Sequence, residues 1–515
     1  MKINTKILIL TFFLAIYMGA TAVFYEKTPF LLNFQAVVIL FYCILCWKIK
    51  SQGKIISPYV IFMVFYVLFN YGQCIMWVFG IHSNDEIGKQ ELYYRLAPAT
   101  TSEIQAAQWY ICFSMLAIHL GVILSLIFRK HKKQENKAPE DLKKRNIEDK
   151  ALGAVSQIIF AIVYPLTMAL RLKELSISHS GGYKSLYYSD DSTQSGYMQI
   201  IMYLLIPSIL GILLSQNVEK GRKRIVFILF IIYVFVTMFC GYRGEWLYPA
   251  AAVLLVYARR IKIKPKIILI GAIAMCLLVS FTHVITSVRD SGLGSLTIAS
   301  FSEAFSSDDS PISDAFFEMG GSMGIIIVMM RIGASAYPYA NTYLTSILGA
   351  ISSRFLSFIG IKHVGMGGWL SQEYLRISWG TGFSMLGEAY TNGGGYVGGL
   401  IYMILLGFLI GLLFSIDRKK GPIYSMIAAA SINAILPLTR GTVYLVLKEI
   451  LYGPLLLALC IVLYKKYILH RSDKGIKAEK KAIESSSLAI SPERRYCTHS
   501  DETKRQITEN SKDSA

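Results

Sequence analysis

Two arginines stand in short Arg-Gly turns between apolar segments: Arg243 in Phe239-Cys-Gly-Tyr-Arg-Gly-Glu-Trp246, and Arg440 in Leu438-Thr-Arg-Gly-Thr442. A guanidinium presents a planar fork of donors that fits a phosphate bidentately and stays charged at any working pH. A glycine beside it, Gly244 or Gly441, lets a ligand approach the backbone with no side chain in the way. The chemistry open to such a pair is the holding of an anion, or of the charge that develops on a phosphate leaving group. For Arg243 the competing reading is an ion pair with Glu245 that pins the turn. Arg440 meets no acidic neighbour before Glu449.

Further candidates precede the second turn. Arg354 and Arg376 lie upstream of Trp379-Gly-Thr-Gly-Phe-Ser-Met-Leu-Gly387-Glu388-Ala-Tyr-Thr-Asn392-Gly-Gly-Gly395, a stretch whose glycines imply tightly turned backbone close to a membrane or a ligand. If the stretch is helical, Glu388 and Asn392 share a face. A carboxylate there could act as general base on a sugar hydroxyl, or it could order the loop or pair with an arginine. His283 and His363 are possible proton acceptors, although a lone histidine is more often structural. Lys448 and Glu449 are neighbours within an apolar run and, pointing about 100° apart on a helix, need different partners. Asp190-Asp191 and Asp308-Asp309 lack further ligands at metal-binding spacing, so they read as exposed loop acids and no metal is expected. No Gly-rich phosphate loop ending in Gly-Lys-Ser/Thr and no strand–GxGxxG–helix unit occurs. Any reaction must then draw on a group already activated, with no cofactor.

These residues must be positioned by membrane helices. The chain has 515 residues, 54% hydrophobic and only 17% charged, with a mean hydropathy of +0.47. Continuous apolar runs of span length exclude a β-barrel and predict an all-α polytopic membrane protein. About twelve spans are expected, at 7–25, 30–47, 57–80, 107–128, 151–171, 197–215, 225–240, 246–258, 267–285, 396–416, 423–437 and 443–464. The net charge of +19 does not signal nucleic acid, because the bases cluster in alternate loops. Lys48-Ile-Lys50, Arg129 to Lys133, Lys220 to Arg224, Arg259 to Lys266 and Arg418 to Lys420 mark the cytoplasmic side, which places both termini inside. The intervening loops carry more acids than bases. Arg243, Arg289, Arg331, Arg354, Arg376 and Arg440 fall on that outer side, against the usual bias of arginine.

Residues 1–465 read as one transmembrane domain and 466–515 as a flexible basic cytoplasmic tail. Loop 129–150 is polar and is also expected to be flexible. Between the ninth and tenth spans an external loop, 286–395, is too long for a passive connector. Its apolar runs Gly324 to Met330 and Tyr343 to Ile361 are too short or too interrupted to span, and predict interfacial or re-entrant helices. No cysteine has a plausible external partner, so no disulfide is expected.

Gly241-Tyr-Arg-Gly244 resembles the Gly-x-Arg-Gly turn of O-antigen polysaccharide polymerases, the Wzy family. Phe317-Glu-Met-Gly-Gly-Ser322, Tyr339-Ala-Asn-Thr-Tyr-Leu344 and Gly380-Thr-Gly-Phe-Ser-Met-Leu-Gly-Glu-Ala-Tyr390 are similar to that family's large external loop. The similarity covers most of the chain from about 150 to 465. Tyr242 departs from the glutamine expected there, and Gly393–Gly395 from an aromatic after Asn392; neither departure removes a charge. The resemblance implies a C-type glycosyltransferase-like membrane fold in the bacterial cytoplasmic membrane. It implies a polymerase that moves a growing glycan from undecaprenyl pyrophosphate onto the non-reducing end of a new lipid-linked repeat unit. Chain-length regulator and flippase proteins of the same pathway would be its partners, beside membrane lipid. On this reading Arg243 and Arg440 bind pyrophosphate, Arg376 or Arg354 adds a third contact, and Gly244, Gly387 and Asn392 line the substrate. Glu388 is the candidate base. The competing readings are an O-antigen ligase-like transferase and a flippase for lipid-linked oligosaccharide. A flippase needs a cavity reaching both faces and charge within many spans, whereas here the charge clusters at the outer side.

Overall fold

The computed structural model describes residues 3–51, 56–82, 85–93, 95–128, 139–181, 196–240, 242, 245–258, 313, 317–377, 380–416 and 421–468. Residues Met1–Val462 form one compact unit and Leu463–Ala515 a second, of which only 463–468 are described. The long helices are α1 (Ile3–Phe24), α2 (Pro29–Lys50), α3 (Pro58–Val78), α4 (Thr101–Ile127), α5 (Pro139–Gly181), α6 (Gly196–Leu214), α7 (Lys220–Phe239) and α8 (Leu247–Ala258). The shorter α9 (Ser322–Ile332), α10 (Thr342–Ile351), α11 (Ser353–Phe358) and α12 (Met385–Asn392) follow. Helices α13 (Tyr396–Ile416), α14 (Pro422–Ile435) and α15 (Val443–Ile450) complete the set. No β-strand occurs among the described residues.

Among the described residues eight helices are long and apolar enough to cross a membrane, including α1 to α4 and the span Val443–Ile468 that α15 opens. The shorter α6 and α8 are apolar as well. Every expected span falls on a helix except 267–285, which lies outside the described residues. Local chemistry sets the helix starts. Pro29, Pro58 and Pro422 stand in first turns, where a missing N–H costs nothing. Thr100 and Glu103 form a reciprocal capping box at the start of α4.

Burial separates helices facing lipid from helices facing protein. Along α1 only Leu14 and Thr21 are buried, while Leu8, Phe12, Phe13 and Ile16 are exposed, as suits a helix solvated by hydrocarbon. Most of α3 is buried, which makes it a central element. Between α4 and α13 the backbones nearly touch: a Cβ on Gly121 would lie 2.0 Å from the Ile404 carbonyl oxygen, and one on Gly407 2.1 Å from that of Ile118. Glycines at such a crossing replace the hydrophobic drive that lipid cannot supply with close van der Waals packing.

The region 129–150 differs from its expected form. From Pro139 onward it is helical and continuous with α5, and Asp149 ties that helix to the next turn by accepting from the backbone N–H groups of Gln216 and Asn217, at 2.8 and 3.0 Å. From Pro139 a polar sequence is here the helical extension of a span rather than a loop. Within 286–395, α9 is buried from Ser322 to Met329, so it packs into protein instead of lying on an interface. Helix α10 has the reverse arrangement, with Thr342, Thr345 and Ser346 inward and Leu344, Ile347 and Ile351 exposed. An apolar outer stripe over a polar inner one suits a helix against lipid.

Candidate anion site at the Arg440 turn

Helix α14 tightens into a 3-10 turn, Leu436–Arg440, before Gly441 and Thr442 lead into α15. Asn70 of α3 grips this turn from one side. It is fully buried, and its Nδ2 donates to the Thr439 carbonyl at 3.1 Å and to the Tyr66 carbonyl at 3.0 Å. Its Oδ1 accepts from Ser384 Oγ at 2.9 Å, and Ser384 in turn caps α12 by accepting from the Leu386 N–H. One buried amide thus fixes the Arg440 turn and the start of α12 together.

Glu388 grips the turn from the other side. Its Oε2 accepts from the Val443 N–H at 2.8 Å, the first N–H of α15, whose own N-cap Thr442 offers no side-chain bond. A carboxylate is favoured there by the orphan N–H groups and by the helix dipole. Its Oε1 accepts from Thr342 Oγ1 at 2.6 Å. Asn392 completes the knot: its Oδ1 accepts from the Thr342 N–H at 2.9 Å, and its Nδ2 donates to Thr342 Oγ1 at 2.8 Å. Glu388 and Asn392 share a face of α12, as expected, and the starts of α10 and α15 meet on it. Glu388 is only 1% exposed, and burial raises its pKa to about 7.

Arg440 itself is half-buried and makes no hydrogen bond or ion pair among the described residues. The Gly380–Ser384 strip passes beside it: a Cβ on Gly382 would lie 4.0 Å from Arg440 Nε, and Gly382 has φ +69°, a backbone favouring glycine. Tyr93 and Tyr248 lie close enough to feel the guanidinium charge.

At the first turn, Arg243 and Gly244 lie outside the described residues, but their flanks are fixed. Glu245 pairs with Arg171 near the end of α5, whose Nη1 also meets Glu174 at 2.7 Å. The Arg171 guanidinium lies 4.8 Å from the centre of the Tyr242 ring. The partner of Glu245 among the described residues is therefore Arg171. The sequence reading missed Arg171, Asn70 and Thr342. Arg171 and Asn70 were visible as polar residues in or at the edge of apolar runs; Thr342 lies within the quoted Tyr339–Leu344 stretch, where no spacing ties it to Glu388.

The remaining candidates scatter. Arg354 in α11 and Arg376 are exposed, and no hydrogen bond ties either to the Arg440 turn. Arg376 has φ +52°, which is strained for a side chain of its size. Gly387 is buried where α12 meets α9, with a Cβ site 3.1 Å from Met329 Cγ, so its role in the fold is close packing. Arg331 is fully engaged, its Nε and Nη2 reaching the two Glu103 carboxylate oxygens at 2.7 Å each. His363 places Nδ1 3.0 Å from Thr345 Oγ1 and its ring 4.3 Å from that of Tyr444. Lys448 and Glu449 do have different partners: Lys448 reaches Gln199 and the Tyr444 ring, and Glu449 accepts from Asn433. Arg289, His283 and both Asp-Asp pairs lie outside the described residues.

Neither the curated proteins nor the solved structures gives a match. The family model of the O-antigen polysaccharide polymerase Wzy matches residues 5–472, nearly the whole chain and all of the helices that build the Arg440 turn. The chain therefore belongs to the O-antigen polysaccharide polymerase Wzy family.

Proposed function

We propose that this protein polymerises undecaprenyl-pyrophosphate-linked repeat units at the outer face of the bacterial cytoplasmic membrane. The hydroxyl at the non-reducing end of a new lipid-linked unit attacks the anomeric carbon of the growing glycan. A glycosidic C–O bond forms as the hydroxyl proton passes to a base, for which Glu388 is the candidate; the bond to pyrophosphate breaks, and undecaprenyl pyrophosphate leaves with the charge. The observation that carries this reading is Arg440, a guanidinium with no protein partner among the described residues, held in a turn fixed from both sides. Such a preorganised cation suits the charge of a departing pyrophosphate. Arg243 contributes from the first Arg-Gly turn, with Gly244 leaving room for the lipid phosphate. Arg376 or Arg354 supplies a third contact once substrate is bound. Asn392 acts through the Thr342–Glu388 knot, and Gly387 through the packing of α12 on α9. Both termini are cytoplasmic, and the flippase and chain-length regulator of the same pathway are functional partners.

Deletion of the gene followed by gel analysis of the surface glycan tests this. Loss of long chains with single repeat units still attached is expected. Loss of every repeat unit would point to a flippase, and an unchanged ladder would refute the polymerase reading.

A further inference from the structure

A cleft that carries several amides in a largely apolar lining opens elsewhere in the bundle. It lies among the α1–α2 turn, the end of α3 and the start of α4, with about 380 Å3 of empty space, part of it open to the outside. Tyr25, Asn33, Trp77, Gln105 and Gln108 carry its polar and aromatic lining, and no charged side chain contributes. Gln108 is 2% exposed; its Nε2 donates to Asn33 Oδ1 at 2.7 Å and meets Cys74 Sγ at 3.3 Å. The other half of each amide, Gln108 Oε1 and Asn33 Nδ2, has no hydrogen-bond partner among the described residues, and neither does the Gln105 amide. Trp77 is 9% exposed, and its Nε1 is buried without an acceptor.

Amides in a membrane bundle are costly to leave half-satisfied, and a polar cluster there marks a place where a ligand belongs. The chemistry of this lining is specific. Free carbonyl acceptors and free N–H donors side by side match the paired hydroxyls of a sugar, each of which both donates and accepts. The indole and phenol rings add flat apolar walls with a polar handle. With no cation in the lining, a phosphate or carboxylate would find no counter-charge there. The place is also apt: Trp77 and Asn70 lie seven residues apart on one stripe of α3, about 10 Å along the helix, and Asn70 holds the Arg440 turn.

We propose that this cleft is a saccharide subsite that binds an uncharged pyranose of the lipid-linked glycan while its pyrophosphate end lies at Arg440. This rests on the polymerase reading and adds to it the part of the substrate that the arginines do not touch. The probe is the repeat-unit oligosaccharide released by mild acid from polymerase-deleted cells, titrated against the full-length protein in nanodiscs. Wild type should bind it. Gln108→Leu and Trp77→Phe should each weaken binding about tenfold, the loss expected from one buried hydrogen bond left unmade. Gln105→Ala, on the more accessible rim, provides a variant that folds if Gln108→Leu does not. Arg440→Ala should bind the free saccharide as wild type does, because the probe carries no pyrophosphate. In turnover assays the cleft variants should raise KM more than they lower kcat. Wild-type affinity in folded Trp77→Phe and Gln105→Ala overturns the subsite, as does failure of wild type to bind. If the gene deletion still abolishes long chains, the subsite alone has failed; if the ladder survives deletion, the polymerase reading has failed with it.

Discussion

The two Arg-Gly turns are held by different chemistry. The turn at 239–246 rests on charge: Arg171, buried in α5, pairs with Glu174 and Glu245 and lies against Tyr242. The turn at 436–442 rests on neutral groups and a helix start, with Asn70 on the Thr439 carbonyl and Glu388 on the Val443 N–H. In the first, the carboxylate two residues from Arg243 in sequence, Glu245, is engaged by Arg171. In the second, the nearest carboxylate points at backbone and leaves Arg440 unpaired among the described residues. Under the proposed function, an incoming phosphate meets local acids that already have other partners, a guanidinium for Glu245 and backbone N–H and hydroxyl groups for Glu388.

The largest effect should come from the charged support. Arg171→Met removes the ion-pair partner of Glu174, whose side chain is only 7% exposed, and removal of one member of a buried ion pair costs about 3–5 kcal/mol. A sharp fall in thermal midpoint in detergent is expected, with partial recovery in Arg171→Met/Glu174→Gln. An unchanged midpoint in the single variant would show that the first turn does not depend on charge.

The neutral support should yield less. Asn70→Ala takes the Asn70 donor from the Thr439 carbonyl and the acceptor from the Ser384 O–H in the interior, at about 1–3 kcal/mol for each unsatisfied group. Polymer should shorten while the protein persists in the membrane, and Asn70→Asp, which keeps the acceptor for Ser384, should fall between. Equal ladders from all three proteins would break the comparison.

The all-helical, membrane-spanning character was legible in the sequence because the length of an apolar run is a local property. The pairing of Glu388 with Asn392 on one helix face was legible too, since it follows from helical periodicity. What escaped were contacts across long separations. Asn70 reaches Thr439 over 369 positions, and Thr342 meets Glu388 over 46, so no spacing rule could connect them. The helix at 139–150 was hidden for another reason: its polar composition resembles a loop, and only continuity with α5 and the Asp149 anchor make it helical. Glu245 shows the same limit, because its neighbour in sequence is Arg243 while its described partner, Arg171, comes from another helix.

The smallest expected effect separates two roles for Glu388. If its carboxylate only positions the turn, Glu388→Gln keeps an acceptor for the Val443 N–H and should retain polymer; if it is the general base, polymer is lost. The variant should also change the pH dependence of stability. Because burial raises the Glu388 pKa from 4.5 to about 7, the folded protein holds a proton that the unfolded chain releases. That contribution is complete below 4.5 and is lost as pH rises through about 7. Melting curves of wild type should decline over that window, and those of Glu388→Gln should be flatter.

Arg440 offers the most direct test of the central claim, that an unpaired guanidinium in a doubly held turn binds the lipid pyrophosphate. The measurement is the surface-glycan ladder of a deletion strain expressing Arg440→Ala at wild-type protein level. Loss of a preorganised donor to a developing anion lowers turnover about a hundredfold to a thousandfold. The account therefore predicts single repeat units and no long chains, with Arg440→Lys no better because a point charge cannot replace the fork. A wild-type ladder from Arg440→Ala would contradict it.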